Sequence, residues 1–107
     1  MDEAKRIVLI ACIRSDVSPR SIYEQIGEEL FELGAKVMKY ARLLSDDNPS
    51  PCSPKRVEQQ IIEELSDVCL CCAVAGLHPD AELMDRKLDR WIKRLDELEG
   101  NDVTYNP

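Results

Sequence analysis

Glu28-Glu29-Leu30-Phe31-Glu32 and, further on, Glu63-Glu64-Leu65-Ser66-Asp67 decide how this chain reads. Each stretch sets two acids three residues apart inside a run whose apolar spacing is that of a buried helix side. Glu29 and Glu32 fall one helical turn apart on a shared face, and Glu64 and Asp67 do the same on the next long helix. Antiparallel packing at this height would bring four carboxylates together. Two carboxylates ~5.5 Å apart repel by about 3 kcal/mol at an effective dielectric of ~20. Hard divalent cations with oxygen ligands, Mg²⁺ or Mn²⁺, relieve that repulsion. One such pair is ordinarily a solvated helix face. Two pairs, each beside a strongly apolar side, make a metal site a real alternative.

Working outward, Ser18-Pro19 and the capping-box pattern Ser21-x-x-Glu24 both signal a helix start, so the first acidic helix runs from Pro19 or Ser21 to Leu44. Its apolar side includes Ile22, Ile26, Leu30, Leu33, Val37, Ala41 and Leu44, with Glu29 and Glu32 flanking it. Lys36, one turn past Glu32, is either a plain i,i+4 partner of that acid or a cation for a phosphate. The loop around Asp46-Asp47-Asn48-Pro49-Ser50-Pro51 excludes continuous helix. Asp46 and Asp47 in it are ordinary turn residues or additional oxygen ligands. Ser53-Pro54 restarts a helix with the stripe Val57, Ile61, Leu65, Val68 and Cys72. The uncharged run Val68–Leu77 is expected to be buried nearly all round. Gly76 and His78-Pro79 end this helix, and Asp80 caps a last one over Ala81–Leu98, closed by Gly100. Met84, Leu88, Trp91, Leu95 and Leu98 form its seam for another helix. Ahead of all this, the aliphatic run in Glu3–Arg14 is expected to be a buried helix, because nothing later alternates like a partner strand.

The expected fold is therefore all-α: an antiparallel bundle of about four helices, one domain over residues 1–100 and a loose tail at 101–107. The chain has 107 residues, 21 acids against 14 Lys and Arg, and net charge −7. That balance argues against binding polymeric nucleic acid, which needs a basic surface. It leaves room for a small phosphorylated ligand carried in with metal. Five cysteines, three of them in one apolar helix, favour a reducing, cytoplasmic setting, and Cys69, Cys71 and Cys72 read as small buried hydrophobes. The Ile7–Ile13 run is too short to span a membrane.

The pattern Glu28-Glu29-x-x-Glu32 followed by Glu64-x-x-Asp67, on two helices of a small all-helical domain, resembles the MazG-like nucleotide pyrophosphohydrolases of the all-α NTP pyrophosphatase superfamily. The likeness runs over roughly residues 18–98. Asp85-Arg86-Lys87-Leu88-Asp89-Arg90-Trp91 and the Asn-Pro-x-Pro loop look like those of small, phage-type members. The 31 residues between Glu32 and Glu64 make a longer gap than in tighter versions of the motif, and the proline-rich loop accounts for the excess. The resemblance implies that Glu29, Glu32, Glu64 and Asp67 bind Mg²⁺. It implies hydrolysis of a nucleoside triphosphate to the monophosphate and pyrophosphate, with Glu28 or one of the four orienting or deprotonating water. It implies that Lys36, Lys87 and Arg90 hold phosphate oxygens, and that the chain assembles as a homodimer or homotetramer.

Two rival readings stay open on the residues. In one, the chain is a non-catalytic helical interaction module, its acids solvated and its seam bound to a partner. In the other, a four-carboxylate site binds two irons. That chemistry ordinarily uses Glu-x-x-His pairs, and His78 is the single histidine.

Overall fold

A computed structural model of the chain describes residues 1–45 and 52–99. Within them it is all-helical, with four helices in order: α1 Glu3–Asp16, α2 Pro19–Leu43, α3 Pro54–Ala75 and α4 Ala81–Glu99. The Asp46–Pro51 loop, Gly100 and the 101–107 tail lie outside the described residues. The chain forms two compact units, one holding α1 to α3 up to Leu77 and one from His78 onward holding α4.

Local chemistry explains each boundary. The Asp2 carboxylate accepts from the Lys5 N–H at 2.7 Å and starts α1. The Ser18 hydroxyl accepts from the Ser21 N–H at 3.1 Å, and Pro19 follows in the first turn, where its missing N–H costs nothing. The helix thus starts at Ser18, and Ser21 lies inside its first turn instead of capping it with Glu24. Glu24 pairs with Arg20 at 2.9 Å, one turn back. Ser53 sits at the start of α3 as expected, although its hydroxyl makes no cap bond there. Gly76 closes α3 with φ +78°, the left-handed region that L side chains rarely adopt. Asp80 accepts from the Leu83 N–H at 2.9 Å and caps α4.

The core lies between α2 and α3, with α1 leaning on α3. Ile26, Val57, Val68 and Val74 are its buried side chains, Val57 the most completely, at 1 % exposed. The two helices run antiparallel: Glu29 meets Glu64 and Asp67, while Lys39 shares a cavity with Ser53, Arg56 and Gln60. Arg14 ties α1 down. Its guanidinium donates to the Val74 and Ala73 carbonyls at 2.7 and 2.9 Å in the last turn of α3, where the Ala73 carbonyl also accepts from the Gly76 N–H at 3.0 Å.

Three expectations about burial are corrected. The α2 side that faces α3 is the heptad series Ile22, Ile26, Glu29, Leu33, Lys36, Tyr40 and Leu43, each buried or half-buried. Leu30, Val37, Ala41 and Leu44 fall about a quarter turn away and are exposed. The spacing merged two adjacent stripes, because residues one apart on the wheel at 100° each satisfy the same three-and-four rule. On α3, Leu65 is exposed, and Val68–Leu77 is not buried all round: Cys69, Leu70 and Leu77 face out, while Cys71 and Cys72 are half-buried. α2 covers one side of this run and α1 leans on its end, which leaves the remaining side open. The aliphatics of α1 are likewise helical but exposed, Ile7, Val8, Leu9 and Ile13 among them.

Candidate metal centre

Because α2 presents Glu29 within its α3-facing series, and α3 presents Glu64 one turn before Asp67, the antiparallel pair brings one oxygen of each within 4.8 Å of the others. Glu29 and Glu64 are half-buried and Asp67 is exposed, so the cluster sits in the wall of the α2–α3 groove and opens to solvent on the Asp67 side. Gln25, one turn before Glu29, donates its side-chain N–H to Glu29 Oε1 at 2.8 Å. That bond holds the carboxylate by one oxygen. Glu29 Oε2 and Glu64 Oε2 are both shielded from solvent and accept no hydrogen bond.

A buried carboxylate oxygen without a donor is costly, and two of them beside a third acid are more so. At this separation each pair repels by on the order of 3 kcal/mol at an effective dielectric of ~20, less at Asp67, which water screens. The donor set is all oxygen and all anionic. It fits a hard divalent cation and offers no imidazole for a borderline metal.

The other residues that the sequence singles out sort by position. Glu32 and Glu28 are exposed on α2 and stand outside the three-residue cluster. Lys36 is half-buried in the α3-facing series, two turns past Glu29. Lys87 and Arg90 belong to α4, where they line a shallow surface groove with Trp91, Arg94, Leu95 and Leu98. Their unit is separate from the one that holds the acids.

Several site neighbours carry no signal in the sequence pattern. Gln25 orients Glu29. Gln60, one turn before Glu64, has a shielded side-chain oxygen without a donor. It lines a cavity of about 430 Å³ with Lys39, Cys52, Ser53, Arg56 and Val57. Cys71, one turn past Asp67, is more than a small filler. Its thiol is pushed up from the usual value of 9.0 by burial and then by the charges of Glu29, Asp67 and Cys72, which places it beside the acids. A search for Gln four residues ahead of each acid finds Gln25 and Gln60, since i,i+4 neighbours share a face.

Comparison with protein-family models, with curated proteins and with solved structures finds no match to this chain.

Proposed function

We propose that the chain is a Mg²⁺-dependent nucleotide pyrophosphohydrolase of the MazG-like kind, cleaving a nucleoside triphosphate to the monophosphate and pyrophosphate. The observation that carries the proposal is the pair of shielded, donorless oxygens of Glu29 and Glu64 beside Asp67. A cation bound by these three would neutralise the triphosphate and bring a bound water toward deprotonation near neutral pH. Mn²⁺ suits the same donors.

Each residue then has a part. Glu29, Glu64 and Asp67 hold the cation, with Gln25 fixing the Glu29 carboxylate. Glu32 and Glu28, exposed on the neighbouring turn, complete the cation's shell or take the proton of the attacking water. Lys36 is a fixed positive charge further along the groove and holds phosphate oxygens. Lys39 and Arg56, which line the next cavity, extend the same positive track. Lys87 and Arg90 of α4 are further phosphate-binding candidates, and Trp91 beside them offers a face on which a base stacks. The chain works as a homodimer or homotetramer in the reducing cytoplasm. Cys12, Cys69, Cys71 and Cys72 are free thiols, and no described helix is long and apolar enough to cross a membrane.

The deciding experiment is pyrophosphate release from a panel of ribo- and deoxyribonucleoside triphosphates, with Mg²⁺ and with EDTA. Metal-dependent release from one or a few supports the proposal and names the substrate. No release, with a folded protein and no metal uptake in a titration, moves the reading to the second candidate, a helical interaction module. The observation favouring that second reading is the amount of apolar side chain left exposed on all four helices.

A further inference from the structure

Among the described residues, three shielded side-chain polar atoms have no hydrogen-bond partner: Glu29 Oε2, Glu64 Oε2 and Gln60 Oε1. All three are oxygens. Two belong to the carboxylates of the proposed centre. The third is a neutral amide oxygen, one turn of α3 before Glu64. Gln60, Glu64 and Asp67 follow one another at spacings of four and three, so they stand on one stripe of α3. Gln60 lines a cavity that Lys39 of α2 also lines, and Glu64 and Asp67 meet Glu29 of α2, so the stripe runs along the α2–α3 groove.

The two glutamines that precede the acids are used differently. Gln25 is exposed and donates to Glu29 at 2.8 Å. Gln60 is half-buried, and its oxygen accepts nothing. An acceptor withdrawn from water and given no donor is costly. A glutamine at an ordinary helix surface avoids that cost by turning its amide out to water. The fold therefore keeps a neutral acceptor beside the acids with no structural use for it.

The chemistry of a hard divalent cation supplies the missing donor. Mg²⁺ dehydrates reluctantly and keeps several waters beside its carboxylate ligands, and each of those waters has protons to donate. One turn of helix, about 5.4 Å, is longer than a metal–oxygen bond and close to the length of one such bond plus a hydrogen bond. We infer that Gln60 is a positioning residue of this centre, its amide oxygen accepting a hydrogen bond from a cation-bound water. An amide oxygen orients a water and does not take its proton, so deprotonation stays with the carboxylates. The inference rests on the metal reading and adds to it a residue outside the acidic pattern.

The test is calorimetric titration of Mg²⁺ into the full chain, with a thermal scan of each metal-free protein, for the wild type, Gln60→Leu, Gln60→Glu and Glu29→Gln. Gln60→Leu removes the acceptor and keeps an apolar side chain in its place. It is expected to weaken Mg²⁺ binding about 10–100-fold, while the metal-free melting temperature holds or rises because the costly oxygen is gone. Gln60→Glu keeps an acceptor oxygen at the same reach and is expected to bind Mg²⁺ at least as well as the wild type. Its metal-free melting temperature is expected to fall, since a further carboxylate then stands one turn from Glu64. Wild-type Mg²⁺ affinity in Gln60→Leu, alongside its loss in Glu29→Gln, overturns the inference and leaves the metal centre standing. Loss of metal-free stability together with affinity in Gln60→Leu also overturns it, because Gln60 then holds the acids in place as Gln25 holds Glu29. A Gln60→Glu chain that binds as weakly as Gln60→Leu overturns it too. A wild type that takes up no Mg²⁺ removes the centre and the inference with it.

Discussion

Glu29 shows how a single side chain is divided between structure and chemistry. Gln25 satisfies one oxygen, and the other is shielded with nothing to donate to it. Removing that charge is expected to have opposite effects on stability and on metal binding. Glu29→Gln without metal is expected to raise the melting temperature, because it deletes two repulsions of order 3 kcal/mol before screening. The same variant is expected to lose at least ~100-fold in Mg²⁺ affinity, together with turnover. Calorimetric titration and thermal scans with and without Mg²⁺ check both halves. Asp67→Asn is expected to follow it in affinity, with a smaller gain in apo stability, since Asp67 is exposed. Glu32→Gln separates the roles, because Glu32 stands outside the cluster: retained Mg²⁺ affinity with reduced turnover is the expected outcome. Cys71 reports on the same place. Burial and the neighbouring acids hold its thiol protonated to higher pH than usual. A group whose folded value is raised favours the fold below the unfolded thiol range and stops doing so as pH climbs through the folded value. Alkylation of a variant whose only cysteine is Cys71 is therefore expected to be slower near pH 8 than that of one whose only cysteine is Cys12. The gap narrows when Mg²⁺ neutralises Glu29 and Asp67.

At the scale of the element, α1 is held by its C-terminal end. Arg14 reaches two carbonyls of the last turn of α3, and the aliphatic residues of α1 are largely exposed. Arg14→Ala removes two hydrogen bonds from a charged donor and is expected to cost about 1.5–3 kcal/mol. Urea unfolding gives the magnitude. Hydrogen exchange is expected to locate the loss in α1 and around Gly76, whose backbone the guanidinium overlies at 3.5 Å from the Cβ position. Exchange spread evenly over α2 and α3 would instead make Arg14 an ordinary contributor to the core. α4 is the contrasting element. It has a capped start and an i,i+4 pair, Asp89–Lys93 at 2.9 Å, with its apolar seam exposed.

For the whole molecule, binding and folding are linked through the α2–α3 groove. A cation that binds the folded chain and not the unfolded one adds about 2.7 kcal/mol at 100 times its dissociation constant. For a chain of this length that is expected to raise the melting temperature by roughly 10–20 °C. A melting temperature flat across millimolar Mg²⁺ would count against the site. A rise that persists in the Glu29→Gln, Asp67→Asn double variant would place the cation elsewhere.

The helical class, the element boundaries and the acids Glu29, Glu64 and Asp67 were legible in the residues themselves. Caps, prolines and three-and-four spacing act within one or two turns, and that is the range over which a linear chain fixes its own geometry. The side of each helix that ends up inside was not legible. Leu30 and Leu33, or Leu65 and Val68, satisfy the same periodicity, and only the rotation of α2 against α3 separates core from surface. The tertiary structure decided that Glu29 faces α3 while Glu32 does not, that Gln25 and Cys71 join the acids, and that Arg14 belongs to the end of a helix some sixty residues away. These depend on how two cylinders turn against each other, which is set by packing over the whole contact and by no local run of residues.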